Sequence, residues 1–252
     1  MLRNEEIKIL VEALPYLRDF KGKTVVVKYG GNAMLNDEIK NKVLQDIIFL
    51  KCAGLRPIVV HGGGPEITAQ MVKAGKKTQF VGGLRVTDEE SVGITEMALV
   101  GKINTDLVGR LNRLGGKAVG LNGKDDNLIQ ARKHLADVYE NGEVNLVDIG
   151  YVGTVEHINT ELLNVLLDND FISRYCTERV GATGETYNIN ADSVAGEIAG
   201  ALKAEKLLVL TDVKGIYADY RDESTFLSTM TFEKAQELII KGNIDRRHDS
   251  ES

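Results

Sequence analysis

Lys28 stands at the end of a β-branched run, Thr24-Val25-Val26-Val27, and is followed by Tyr29 and two glycines, Gly30-Gly31. A lysine offers a compact positive charge, and glycines let backbone N–H groups approach an anion with no Cβ in the way. Together they could hold phosphate; a plain strand and turn with an exposed lysine is the competing reading. The stronger anion pattern is His61-Gly62-Gly63-Gly64-Pro65-Glu66. Three glycines run into a proline expected at the first helical position, so free N–H groups and the positive end of a helix dipole meet at one place. Neither cluster has the G-x-G-x-x-G or G-x-x-x-x-G-K-[ST] spacing of the dinucleotide and P-loop fingerprints. Arg85, in Gly82-Gly83-Leu84-Arg85-Val86-Thr87, could grip a carboxylate through two parallel hydrogen bonds or pair with Asp88 or Glu89 at the surface. Asp192 opens a helix, where capping is an aspartate's ordinary role. Thr211-Asp212 closes another apolar run, against whose edge a nucleotide could lie.

These residues need strands to deliver them and helices to back them. Three consecutive valines, then Pro57-Ile58-Val59-Val60, then Leu207-Leu208-Val209-Leu210 read as strands buried on both faces, the mark of a parallel sheet inside an α/β domain. Ligands of such sheets collect beyond the carboxyl ends of the strands. Between the first two runs, Asn36 is a helix cap and Gly54 the residue just past the helix end. Thr87 and Glu90 have the spacing of a capping box for a helix bearing Val92, Ile94 and Met97. A further helix carries Ile103, Leu107, Val108, Leu111 and Leu114, and residues 128 to 158 alternate as antiparallel strands or a hairpin flap. Ahead of all this, Ile7, Leu10, Val11, Leu14 and Leu17 make an amphipathic helix that covers its own domain or meets a neighbouring subunit.

The 252 residues, 43% hydrophobic and 27% charged, suit one large or two modest domains. A net charge of -6, with no basic tract, argues against nucleic acid as a partner but leaves small anions open. Cys52 and Cys176 lack metal-ligand spacing and the four histidines are scattered, so neither a zinc site nor a disulfide framework is expected. The absence of a signal-peptide pattern or a membrane-spanning run leads us to expect a cytoplasmic protein.

Taken together, Lys28-Tyr29-Gly30-Gly31-Asn32, His61-Gly62-Gly63-Gly64-Pro65, Gly83-Leu84-Arg85-Val86-Thr87, Tyr187-Asn188-Ile189-Asn190-Ala191-Asp192 and Leu210-Thr211-Asp212-Val213 resemble the N-acetylglutamate kinases of the amino acid kinase family, over roughly residues 23 to 172 and 180 to 244. The resemblance implies a three-layer α/β/α sandwich around a mainly parallel sheet. It also implies MgATP-dependent phosphorylation of the side-chain carboxylate of N-acetyl-L-glutamate to an acyl phosphate, a step of arginine biosynthesis. By position, Gly63, Gly64, Arg85 and Asn188 would bind acetylglutamate, with Arg85 on its α-carboxylate. Lys28 would stabilise the moving phosphoryl group, and Asp192 would orient the catalytic lysines. Lys28, Gly30, Gly31, Thr211 and Asp212 would line the nucleotide site, and magnesium would arrive on ATP with no protein-only metal cage. The implied organisation is an N-terminal helical extension (1-22), an acetylglutamate-binding half (23-175) and a nucleotide-binding half (176-252). The extension resembles that of arginine-inhibited hexameric members, so a homo-oligomer is expected, with the C-terminal part of the inhibitor site missing. Other amino acid or carbamate kinases of this fold, and a non-catalytic acetylglutamate-binding subunit, are the alternatives.

The family pattern breaks in two places. Where a core strand close to F-I-P-V-I-A-P belongs, the chain reads Phe171-Ile172-Ser173-Arg174-Tyr175-Cys176-Thr177-Glu178-Arg179. Unpaired charges in a doubly covered strand cost on the order of several kcal/mol each. One T inserted into ATT CCC GTT ATT GCA CC yields Ile-Ser-Arg-Tyr-Cys-Thr, a local frameshift that would be restored by Val180. After Ile244 the family continues with a segment like D-G-G-M-I-P-K-V-E, which holds a second catalytic lysine; one extra C converts a coding of it into Asp245-Arg246-Arg247-His248-Asp249-Ser250-Glu251-Ser252. A frameshifted reading of a longer kinase is therefore expected, as is weak or absent activity. Resequencing that finds neither insertion would reject it.

Overall fold

The computed structural model describes residues 4–34, 36–140, 143–176, 178–181, 184–211, 213–219 and 221–240. Helix α1 (Asn4–Phe20) precedes β1 (Thr24–Tyr29), which passes through a 3₁₀ turn into α2 (Asp37–Cys52) and β2 (Arg56–His61). Next come α3 (Gly64–Lys73), the short hairpin β3 (Phe80–Val81) and β4 (Leu84–Arg85), and α4 (Glu89–Glu96). A π-helical stretch, Met97–Asn104, joins α4 to α5 (Thr105–Arg113), so the two helices read from the sequence form one interrupted rod. The chain continues through β5 (Ala118–Leu121), β6 (Ile129–Glu140), β7 (Glu143–Ile158), α6 (Glu161–Asp168), β8 (Ile172–Cys176), β9 (Glu178–Gly181) and β10 (Thr186–Asn188). It then enters α7 (Ala191–Ala201), β11 (Lys206–Leu210), β12 (Ile216–Tyr217), β13 (Phe226–Leu227) and α8 (Phe232–Ile240).

Five parallel strands in the order β11-β1-β2-β8-β5 form the central sheet. Side chains alternate across it, so Val25, Val27 and Tyr29 join one core cluster with α2, the π-helical stretch and α5. Val26 joins the other, with α6 and α7. Helices on both faces of a parallel sheet make the three-layer α/β/α sandwich that the apolar runs predict. The 128 to 158 segment is the antiparallel ribbon β6–β7, which closes with β9 and β10 into a small barrel.

Several expectations change. The Leu207–Leu210 run reads as buried, yet β11 is the sheet edge, and Leu207, Leu208 and Val209 are 40%, 38% and 48% exposed. Apolar composition reports what a strand can bury, and among the described residues β11 packs chiefly on β1 and α7. Asp88, not Thr87, caps α4, its carboxylate accepting from the Ser91 N–H at 2.7 Å. The buried Thr87 hydroxyl donates instead to the Arg85 carbonyl at 2.8 Å. Asn36 caps α2 as expected, and Gly54, at φ +90°, follows its end. The intramolecular docking of α1 is limited among the described residues: Ile7, Val11 and Leu14 remain exposed, while Phe20 packs on the main core.

The anomalous segment does enter the central sheet. Its backbone pairs with β2 and β5, placing Ser173 beside Ile58 and Val119. Ser173 is fully buried, and its Oγ has no hydrogen-bond partner among the described residues. An unmatched buried hydroxyl costs about 1–3 kcal/mol. Ser173→Ala is expected to raise stability by about 1 kcal/mol, which in a chain of this length is roughly 2–4 °C in Tm. A melting curve checks it; an unchanged or lower Tm would mean that the hydroxyl is satisfied.

Candidate active site

Strand direction assembles the site. Because all five strands of the sheet are parallel, the residues after Tyr29, His61 and Leu210 emerge at the same edge, with Tyr29 in register with both His61 and Leu210. The two glycine loops are therefore neighbours. The Gly62 N–H donates to the Tyr29 carbonyl at 3.2 Å, and a Cβ on Gly30 would lie 3.6 Å from the Gly62 nitrogen. Gly31 has φ +68°, which turns the first loop back into its 3₁₀ turn. Thr211 follows Leu210 at this edge, and Asp212 lies outside the described residues.

Alternation also sets the direction of Lys28. Two residues beyond Val26, it shares the sheet face covered by α7. Its Nζ lies 3.1 Å from Asp192 Oδ1, and the lysine side chain is only 13% exposed. The helix cap is Asn190, whose side-chain oxygen accepts from the Asp192 and Ser193 N–H groups. This frees Asp192 from the capping role that its position first suggests, so its carboxylate faces the lysine. The Ala191 Cβ lies 3.4 Å from where a Cβ on Gly62 would stand, which brings the start of α7 against the second glycine loop.

Gly63 caps α3 with no side-chain hydrogen bond, and Pro65 is the second helical residue, one place later than expected. A Cβ on Gly63 would come within 2.4 Å of Ile103 Cδ1 and 2.7 Å of Leu99 Cδ2, so the π-helical stretch packs where a larger residue would push these side chains aside. Pro65 carries no N–H and the Ile67 N–H donates to the Gly63 carbonyl at 2.8 Å, so the Gly64 and Glu66 N–H groups are those of the first turn left without an intrahelical acceptor for an anion to use.

Arg85 is not a surface residue. The two-residue turn of the β3–β4 hairpin, with Gly82 and Gly83 at φ +57° and +76°, folds it inward to 8% exposure. Its Nη2 donates to the Gly64 carbonyl at 3.1 Å and to Thr68 Oγ1 at 2.8 Å, and its guanidinium lies 4.8 Å from the Phe80 ring centroid. Nη1 is buried with no partner among the described residues. Burial pulls the guanidinium pKa down to about 10, which leaves it charged near neutrality. The expected two-pronged grip is narrowed, because Nη2 already donates to two protein oxygens. Asp88 pairs with Lys76 instead.

Asn188 is half-buried in β10, its backbone paired with Val152 and Glu178, two residues ahead of the Asn190 cap. Thr68 and Phe80 were not anticipated. A threonine four residues after Gly64 carries no motif, and only the fold brings the hairpin over α3.

The Asp88 cap carries a pH signature. Lys76, then the Ser91 side chain and N–H, hold its carboxyl at about 2, against an ordinary 3.8. A depressed folded-state pKa stabilises the fold above the unfolded value and loses that contribution as pH falls through the folded one. The stability gap between wild type and Asp88→Asn is therefore expected to be full above about pH 4 and to close toward pH 2. Urea unfolding across that range checks it, and a gap independent of pH would refute the assignment.

A parallel sheet covered on both faces, with two glycine loops, a lysine and a buried arginine gathered at its carboxyl edge, is an arrangement suited to a phosphotransferase. The chain belongs to the amino acid kinase family, whose sequence pattern matches residues 23–250. It is 50% identical over 240 residues to the acetylglutamate kinase of Moorella thermoacetica, covering 95% of this chain and 81% of that one. It is also 50% identical over 241 residues to the acetylglutamate kinase of Methanocaldococcus jannaschii, covering 95% and 80%. Among solved structures, it is similar to smu.665 from Streptococcus mutans UA159, with a TM-score of 0.73 at 29% identity over 88% of this chain and 84% of that one. It is also similar to an N-acetylglutamate synthase from Neisseria gonorrhoeae complexed with coenzyme A and N-acetyl-glutamate, with a TM-score of 0.76 at 28% identity. There the match covers 92% of this chain and 51% of that one. Among the described residues, no helix is long and apolar enough to cross a membrane.

Proposed function

We propose that the chain transfers the γ-phosphoryl group of MgATP to the side-chain carboxylate of N-acetyl-L-glutamate, a step of arginine biosynthesis in the cytoplasm. The observation that carries this reading is the single sheet edge that holds Lys28, both glycine loops and the buried, half-unmatched guanidinium of Arg85. Half identity to named acetylglutamate kinases supports it. Phosphoryl transfer between two anions needs positioning and positive charge more than a general base, because the attacking carboxylate is already ionised. Arg85 holds the α-carboxylate through Nη1, and Asn188 holds the rest of the substrate. The Gly63 and Gly64 loop faces the reacting carboxylate. Lys28, kept in place by Asp192, neutralises the moving phosphoryl group. Gly30, Gly31, Thr211 and Asp212 line the nucleotide, which brings magnesium with it. In this reading residues 23–175 serve acetylglutamate and 176–252 serve ATP.

The test is MgATP-dependent acyl phosphate formation, trapped as the hydroxamate, with acetylglutamate, glutamate, aspartate and carbamate compared. It is run on this chain beside a version carrying the family pattern at 173–179 and after Ile244. Activity with acetylglutamate in either chain supports the proposal. A preference for another acceptor, or binding of acetylglutamate with no turnover in either, overturns it.

The exposed apolar side of α1 also suits a subunit contact. Ile7, Val11 and Leu14, 45%, 57% and 58% exposed, fall on one helical stripe. Leu14→Glu is expected to lower the mass measured by light scattering by at least one assembly step while leaving the melting temperature of the subunit fold intact. An unchanged mass would confine α1 to its own subunit.

A further inference from the structure

We infer that Thr68 is a positioning residue that makes Arg85 a one-sided anchor and ties it to the glycine loop of α3. The inference rests on the proposed acetylglutamate site. A guanidinium only donates, so Thr68 Oγ1 must accept from Arg85 Nη2 at 2.8 Å. The hydroxyl proton is then directed to the Gly64 carbonyl, at 3.0 Å. That same carbonyl accepts from Nη2 at 3.1 Å. Nη2, the Gly64 carbonyl and the Thr68 hydroxyl close a small ring of three hydrogen bonds.

This has two consequences for recognition. The end-on fork of Nη1 and Nη2 is unavailable, so a carboxylate takes Arg85 from the Nη1 side alone. The Gly64 carbonyl belongs to the first turn of α3, so docking the α-carboxylate on Arg85 also holds the turn whose N–H groups face the reacting group. Phe80 closes one face of the guanidinium, which leaves Thr68 as the side chain that sets its rotation.

Thr68→Val keeps the shape and removes the hydroxyl, whereas Thr68→Ser keeps the hydroxyl. Thr68→Val is expected to raise the KM for acetylglutamate, or its Kd by calorimetry, about tenfold, the size of a lost hydrogen bond to a charged group. The kcat and the KM for ATP should move less than twofold, and Thr68→Ser should restore the wild-type value. Unchanged affinity in Thr68→Val, or failure of Thr68→Ser to rescue it, would overturn the inference. A second readout needs no substrate. In ¹⁵N-arginine spectra, the resonance missing from Arg85→Lys should show slowly exchanging, separate Nη groups in wild type and Thr68→Ser, and averaged ones in Thr68→Val. If wild type binds no acetylglutamate, the functional reading fails, and these spectra still decide the role of Thr68: separate signals in Thr68→Val reject it.

Discussion

Lys28→Met is expected to lower the rate of acyl phosphate formation by on the order of 10² to 10³, the usual loss when one group stabilising transition-state charge is removed. Acetylglutamate affinity should change less than threefold, because Arg85 and the α3 glycine loop lie on a different strand and helix. Lys28 is suited to this role by its surroundings. At 13% exposure its side chain is sheltered from water, and Asp192 at 3.1 Å limits its movement. Asp192→Asn should produce a smaller loss, since it removes the restraint and keeps the charge. Hydroxamate assays on the more active of the two chains compared above measure both. A rate for Lys28→Met within fivefold of the parent would remove Lys28 from the chemistry.

Gly150→Ala should be the most damaging small substitution. Gly150 sits at φ +85°, and a Cβ there would lie 2.2 Å from the Thr87 carbonyl oxygen and 2.9 Å from its carbon. The obstruction is backbone and cannot rotate away. It also lies at a junction: the Thr87 N–H donates to the Ile149 carbonyl at 2.9 Å, and the Tyr151 N–H donates to the Thr87 carbonyl at 2.6 Å. These bonds fasten the end of the β3–β4 segment to the β6–β7 ribbon, two residues from Arg85. The unfavourable dihedral alone costs about 1–2 kcal/mol, and separating the strands should bring the total above about 3 kcal/mol, the range of severe substitutions. A Tm lowered by on the order of 10 °C follows. Gly93→Ala, inside α4 with nothing within 4 Å, is the matched control and should stabilise by about 0.5–1 kcal/mol. If the two variants melt together, the Thr87–Gly150 junction is not what holds this corner.

Local chemistry was legible in the sequence wherever a short stretch carries its own reason. The valine run and Pro57 to Val60 required doubly covered parallel strands, Asn36 and Gly54 marked the ends of a helix, and the glycine loops pointed to the sheet edge where we propose that anions bind. The family pattern placed Lys28, Arg85 and Asp192 at the proposed site. Tertiary structure decided what each of them touches. Arg85 read equally well as a surface residue, because nothing near it in sequence shows that a hairpin will fold it over α3 onto Thr68 and Phe80. Asp192 read as a cap until Asn190 took that place and Lys28 arrived from a strand more than a hundred and sixty residues away. Leu207 to Leu210 carry the composition of a central strand and lie at an edge. Caps, turns and periodicities depend on neighbours within about one helical turn, which a sequence displays directly. Burial and ion pairing depend on which distant surfaces meet, and only the assembled sheet, with its parallel strands ending at one edge, brings those surfaces together.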